Sequence, residues 1–157
     1  MKRILRFSLV LFLVLFVNVS CDHEMVFDEF YRIENGSWRW EDPAEFNFTV
    51  DDTASFNNIL IMLRHSTDYP LSNLYMFVRI SGPSGQKIVD TINFRLAEPD
   101  GKWLGTGVGN LREIGYLFRK NTRFPETGEY HVDIEQAMRL PEVPVRDVGF
   151  RIEHVKP

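Results

Sequence analysis

The sequence predicts an all-β protein, an antiparallel β-sandwich of the jelly-roll or immunoglobulin-like kind with little helix. Apolar and polar residues alternate with a period of two in six separate segments, which is the pattern of strands that bury one face. Turn sequences containing glycine or proline lie between these segments, at residues 35–36, 82–85, 99–101 and 125–128. Short strands joined by turns at this spacing are typical of a sandwich.

The predicted strands cover residues 46–50, 59–63, 74–80, 92–96, 130–134 and 148–152. The strand at 59–63 is apolar on both faces, because Leu60 and Met62 lie between its inward residues. Such a pattern suits a central strand that is covered on both sides, or a strand under a loop.

Two segments leave room for helix. Residues 111–119 fit a helix through Leu117 and Phe118 or a strand through Tyr116 and Phe118, and Gly115 in the middle favours the strand slightly. Residues 135–140 are predicted to form a single helical turn, which the proline at position 141 ends.

The start of the chain predicts an exported lipoprotein. Three basic residues precede an apolar run at 7–17, and Cys21, the single cysteine, follows shortly after. The run is shorter than the roughly 20 residues that a bilayer-spanning helix needs, so it reads as a secretory signal. We therefore predict a signal peptide at 1–20, lipid attachment at Cys21, a short polar tether at 21–28 and one β-sandwich domain at 29–157.

Composition excludes several functions. Removal of the signal leaves 15 basic against 22 acidic residues, and no run of Lys or Arg remains. Nucleic acid is therefore not an expected partner. A lipidated Cys21 also leaves no thiol for a disulfide, so stability is expected to come from packing of the aromatic residues.

Few residues suggest catalytic or metal-binding chemistry. His131, Asp133 and Glu135 share one face of a predicted strand, as metal ligands would, but the solvent-exposed face of a strand also demands polar residues, and no metal or other cofactor is predicted. Gly105, Gly107 and Gly109 lack the spacing of a nucleotide-binding loop and are expected to form a flexible or tightly bent connection.

Two further sets of residues suggest sugar chemistry. Trp38, Trp40 and Trp103 could offer a platform on which sugar rings stack, which makes a glycan-binding module the alternative function; their other interpretation is core packing. Thr53 and Thr91 each follow Asp and precede an apolar residue. That pattern resembles an O-glycosylation acceptor of exported proteins in the Bacteroidetes.

Several blocks of the sequence resemble one family. They are LRH at 63–65, YPLSNL at 69–74, LAEPDGKWLGTG at 96–107, GEY at 128–130 with IEQAMR at 134–139, and DVGFRIE at 147–153. Their order, together with the lipoprotein start, resembles the gliding-motility lipoprotein GldH family of the Bacteroidetes.

The resemblance implies a non-enzymatic protein of the cell envelope, lipid-anchored and expected at the outer membrane. It implies protein partners in the gliding apparatus and in the secretion apparatus associated with it. Cys21 is the only site residue that the resemblance carries to this chain, as the attachment point to the bilayer.

Overall fold

The computed structural model describes residues 25–155 of the chain. Its strands are β1 Met25–Arg32, β2 Trp38–Arg39, β3 Ala44–Val50, β4 Asn57–Ser66, β5 Asn73–Ser81, β6 Lys87–Arg95, β7 Leu111–Thr122, β8 Gly128–Gln136, β9 Glu142–Val143 and β10 Val145–His154. A single 3₁₀ turn, Glu34–Gly36, is the other regular element in this part of the chain. No helix within 25–155 is long and apolar enough to cross a membrane.

Two four-stranded sheets face each other. Sheet I has the strand order β1-β10-β4-β7 and sheet II the order β3-β8-β5-β6, and every pairing is antiparallel. A small ribbon of β2 and β9 stands beside them. The predicted all-β antiparallel sandwich is therefore confirmed. Five of the six predicted strands lie within observed ones, and the sixth, 92–96, extends one residue beyond the end of β6.

The core between the sheets is rich in aromatic rings. Phe46 and Phe48 of β3 each stack on Phe150 of β10 with ring centroids 5.8 Å apart, and Phe48 also stacks on Tyr130 at 5.5 Å. All four side chains are buried. Burying one such ring contributes about 1.5–3 kcal/mol, and each aromatic pair adds about 0.5–1.5 kcal/mol, so packing of this kind can hold the domain together without a disulfide.

β4 is a central strand of sheet I, which is one of the two alternatives that its sequence left open. Ile59, Ile61 and Leu63 point into the core, and Met62 on the opposite face is also buried. Residues 111–119 belong to β7, the strand alternative, and pair with β4 along most of their length.

The predicted helical turn at 135–140 is wrong. β8 continues to Gln136, and the chain then bends towards β9. The buried side chain of Gln136 makes this bend, because its Oε1 accepts a hydrogen bond from the main-chain N–H of Met138 at 2.8 Å and its Nε2 donates to the carbonyl of Leu140 at 3.0 Å. The Gln136 side chain thus bonds the N–H of Met138 and the carbonyl of Leu140, and the chain bends without the main-chain hydrogen bonds of a helical turn.

The sheet begins earlier than the sequence indicated. β1 starts at Met25, so the last residues of the stretch assigned to the tether, 21–28, are paired with β10, Asp28 with Arg151 among them. β1 is an edge strand. Phe27 and Phe30 are half-buried, and its other six residues are exposed. A strand with so little burial has no clear alternation for sequence analysis to detect.

The sandwich has two distinct ends. The N-terminal end, as we call it, carries Met25, the loops 51–56, 82–86 and 123–127, and residue 155. The ribbon end carries the β2–β9 ribbon and the loops 67–72 and 96–110. All strands of both sheets run between these two ends.

Candidate interaction surface

The outer face of sheet I is closed by ion pairs. The carboxylate of Asp147 is 3% exposed and lies 3.1 Å from the Nε of Arg32 and 3.9 Å from the Nη1 of Arg64. Arg64 also lies 2.6 Å from Glu113 through its Nε. Charges that are paired this completely within the chain offer few free groups to a partner.

The apolar residues on this face are covered as well. Arg64 places its guanidinium 3.9 Å from the centre of the Phe30 ring, and Met62 lies between Gly115 and Gly149. A Cβ on Gly149 would lie 2.8 Å from the Phe30 ring and 2.9 Å from the Met62 Cβ, so this close fit needs glycine. Leu117 is the one large apolar side chain of the described β7 that stays exposed on this face.

The outer face of sheet II is different, because its aromatic residues are open to solvent. Tyr75 and Phe77 lie two residues apart on β5 and are 42% and 39% exposed, and Val89 on the neighbouring β6 is 60% exposed. We call these three residues the aromatic stripe. Exposed aromatic rings on a rigid sheet are characteristic of binding surfaces, since they bury a large apolar area at a small entropic cost.

An ion pair borders the stripe. The guanidinium of Arg79 on β5 makes two hydrogen bonds to the carboxylate of Glu135 on β8, the second at 3.0 Å. Hydrogen bonding to Glu135 raises the pKa of Arg79 above its usual value. Glu135 lies opposite Phe77 and Arg79 lies opposite Asp133 in the β5–β8 pairing, so the ion pair stands between the stripe and the polar residues of the face.

The polar half contains a histidine and two carboxylates. The ligand atoms of Glu45, His131 and Asp133 lie within 4.8 Å of one another. Nδ1 of His131 is 2.8 Å from Oδ1 of Asn47, and its Nε2 is 3.0 Å from Asp133. The three groups could hold a divalent cation, with Asn47 orienting the imidazole. The same contacts also give the histidine a complete set of hydrogen bonds.

The structure only partly assembles the three strand residues singled out as metal candidates. His131 and Asp133 share the outer face as expected, but Glu135 is engaged by Arg79. Glu45 takes its place, because it lies directly opposite Asp133 in the β3–β8 pairing. Sequence spacing could not reveal this contact, which comes from a strand about 90 residues away.

The three tryptophans do not form one platform. Trp38 has no exposed surface, and its Nε1 donates to the carbonyl of Asp42 at 2.8 Å. Trp40 is 58% exposed, because the chain turns directly after β2 and the two residues do not share a strand face. Trp103 packs against the core, with its ring 4.9 Å from that of His65. Of the three tryptophans, only Trp40 exposes most of its side chain to a sugar ring.

The glycine-rich segment is a tight connection, the second of the two alternatives that its sequence left open. A Cβ on Gly107 would lie 2.0 Å from the carbonyl oxygen of Leu111, and a Cβ on Gly105 would lie 2.1 Å from that of Glu113. These glycines therefore allow the segment to press against the main chain of β7.

The remaining predicted sites stay predictions. Thr91 is exposed on β6, opposite Phe77 of the aromatic stripe, whereas Thr53 is half-buried in the loop 51–56. Cys21 lies outside the described residues.

The aromatic stripe itself was missed by the sequence analysis. The signal was present, because Tyr75 and Phe77 alternate with the core residues Leu74, Met76 and Val78. An outward position on a predicted strand is expected to be polar. Aromatic residues at two successive outward positions, Tyr75 and Phe77, therefore mark the exposed stripe.

Comparisons with known proteins agree with one another. A family model described as GldH lipoprotein matches residues 25–152. A relative named gliding motility lipoprotein GldH homolog, from Christiangramia forsetii, is 36% identical over 144 residues, which cover 85% of this chain and 86% of the relative. The gliding motility lipoprotein GldH of Flavobacterium johnsoniae is 35% identical over 152 residues, which cover 92% and 94% of the two chains.

Solved structures give only a faint likeness. A structure of infectious bursal disease virus, Gx strain, is 12% identical with a TM-score of 0.33, and the match covers 83% of this chain and 32% of the viral chain. The VP2 subviral particle of the same virus is 14% identical with a TM-score of 0.30, over the same shares of the two chains. Scores this low carry no argument about this protein.

Proposed function

The chain belongs to the GldH lipoprotein family, and from this membership we propose that it is a non-enzymatic, lipid-anchored component of the gliding machinery in the outer membrane. It acts by binding other envelope proteins, including those of the secretion apparatus associated with gliding. The observation that carries the proposal is the family match over residues 25–152, combined with a signal that ends at Cys21.

The anchor is the acylated sulfur of Cys21. Each buried methylene contributes about 0.8 kcal/mol, and two or more acyl chains hold a protein stably on a membrane where one does not. Cys21 stands directly after the predicted cleavage point and is the only cysteine in the chain. An unmodified thiol would be an uncommon choice in an oxidising compartment.

A labelled fatty acid tests the anchor. Cells that express the wild-type protein should incorporate a clickable fatty acid into it, and the variant Cys21→Ser should not. Unchanged membrane partitioning of the Cys21→Ser variant, or absence of label from the wild type, would refute the anchor.

Binding to partners takes place on the aromatic stripe. The stripe offers Tyr75, Phe77 and Val89 on a rigid sheet, whereas the ion pairs of sheet I are already satisfied within the chain. The adjoining polar half of the face exposes Glu45, with Asp133 partly exposed. A partner should therefore present apolar side chains with basic residues beside them.

Gene replacement in the organism that encodes the protein tests this role. We expect Phe77→Glu to reduce gliding, secretion or envelope integrity to the level of the deletion strain, because a charge in the stripe opposes desolvation. The matched control is Leu117→Glu, which changes a comparably exposed apolar residue on sheet I. A strain that carries this variant should show the wild-type phenotype. Immunoblots must show equal amounts of both variants.

Two results would contradict the proposal. A deletion strain with intact gliding, secretion and envelope integrity would remove the function in the machinery. A Phe77→Glu strain that behaves like the Leu117→Glu strain would remove the aromatic stripe as the binding surface, while leaving the family role in place.

A further inference from the structure

We propose that the N-terminal end of the sandwich rests against the bilayer and that Met25, Val26 and Phe56 contact its phospholipid headgroup region. This orientation rests on the proposed lipid anchor at Cys21 and adds to it a second, non-covalent contact with the membrane. The occupant of this surface is a zwitterionic phospholipid bilayer.

The length of chain between the anchor and the domain brings this end close to the membrane. Four peptide steps separate Cys21 from Met25, and they can span at most about 14 Å even when fully extended. Met25 is the first residue of β1 and pairs with Glu153 near the end of β10. Whichever way the domain tilts, its N-terminal end is therefore the part nearest the anchor.

This end exposes apolar side chains next to one another. Met25 and Val26 of β1 are 41% and 43% exposed, and Phe56 in the loop before β4 is 45% exposed. Val26 lines the same shallow pocket as Asn57, the residue that follows Phe56. The apolar residues of β1 and of the 51–56 loop thus belong to one surface.

Phe56 is held in place and paired with a cation. Its carbonyl accepts a hydrogen bond from the N–H of Val155 at 2.8 Å, which ties the loop to the end of β10. The guanidinium of Arg123 lies 4.0 Å from the centre of its ring. An aromatic ring with a cation beside it suits the boundary between acyl chains and phosphates, where the ring contacts glycerol and the guanidinium contacts phosphate.

The charges at this end favour a zwitterionic surface over an anionic one. The acidic residues on its loops and strand ends outnumber the basic ones, with Asp51, Asp52, Glu126, Glu129 and Glu153 against Lys87 and Arg123. Anionic lipid would be repelled by the larger set, so apolar contact and the guanidinium of Arg123 beside Phe56 supply the attraction.

Tryptophan probes on vesicles test the orientation independently of processing in cells. The chain 21–157 is coupled through its only thiol to a maleimide lipid in phosphatidylcholine vesicles that contain brominated lipid. Phe56→Trp and Val26→Trp place probes at the N-terminal end, and Val108→Trp places one on a residue that is 92% exposed at the ribbon end. The signal of the wild type is subtracted, since its three tryptophans lie at the ribbon end.

We expect bromine to quench the two N-terminal probes at least twofold more than the Val108→Trp probe, with a blue shift of their emission on coupling. Equal quenching of all three probes, or quenching of none, would overturn the orientation. Because coupling here is chemical, this result is separate from fatty-acid labelling in cells, which tests whether Cys21 is acylated at all.

Discussion

Lowering the pH should destabilise the domain through one buried histidine. The ring of His65 has no exposed surface, and its Nδ1 is 2.9 Å from the carbonyl of Ser66, to which it donates. Its Nε2 has no hydrogen-bond partner among the described residues. A proton on that nitrogen would place a charge between the rings of Trp103 and Tyr69, at centroid distances of 4.9 and 5.9 Å.

Burial therefore lowers the pKa of His65 below its usual value, and the charge of Arg112 lowers it further, against the effect of the Ser66 hydrogen bond. Above the pKa of the unfolded chain, about 6.5, neither state binds this proton and the full stability is present. Below about pH 6.5 the unfolded chain binds a proton at His65, whereas the folded domain does not bind it until the pH reaches the lower folded-state pKa. The free energy of unfolding then falls by up to about 1.4 kcal/mol per pH unit until the lowered folded-state pKa is reached.

Between pH 7.5 and 5.0 this one group can remove at most about 2 kcal/mol. Urea unfolding followed by tryptophan fluorescence at several pH values in that range measures the loss. The variants His65→Phe and His65→Leu should each flatten the pH dependence. A His65 variant with an undiminished slope would refute the reasoning.

Three other predictions address the glycine-rich connection, the closed face of sheet I and the sugar sites. Gly107→Ala should destabilise the domain by more than about 2 kcal/mol in urea unfolding, because its Cβ meets a main-chain carbonyl, whereas Gly109→Ala, with open space around its Cβ, should cost about 1 kcal/mol. Asp147→Asn should lower the free energy of unfolding by about 1–3 kcal/mol in the same assay. It removes the charge that pairs with the partly exposed side chains of Arg32 and Arg64. Intact-mass measurement of the protein from its native envelope should show hexose-sized increments that are reduced in Thr91→Ala and Thr53→Ala; an unmodified mass would end the O-glycosylation hypothesis.

Strands with one buried and one exposed face could be predicted from the alternation of their residues. β3 alternates between buried and exposed residues along its whole length, and the sequence shows this as Phe46, Phe48 and Val50 between polar neighbours. β7 was ambiguous for a physical reason. It is an edge strand with half-buried residues on both faces, and Gly115 is there to make room for Met62.

What the sequence did not reveal has two causes: a side chain that bonds the main chain of its own loop, and contacts between distant segments. The bend after β8 depends on the side chain of Gln136, whose preference for main-chain groups of its own loop is not visible in a periodic pattern. Trp38 became a core residue because the ribbon with β9 closes over the end of the sandwich. Glu45 joined His131 only through the pairing of β3 with β8.

The proposed orientation and the proposed binding surface together restrict how a partner can approach. Strands run from the N-terminal end to the ribbon end, and the ten residues of β10 alone span about 33 Å, so a domain standing on its N-terminal end holds the sheets upright on the membrane. The aromatic stripe on β5 and β6 then faces along the membrane surface and not towards or away from the bilayer. A protein anchored in the same membrane can reach this face by lateral diffusion, at an effective concentration far above that of a soluble partner. A moderate contact through Tyr75 and Phe77 is then sufficient for assembly, and release of the anchor should abolish binding even with the stripe intact.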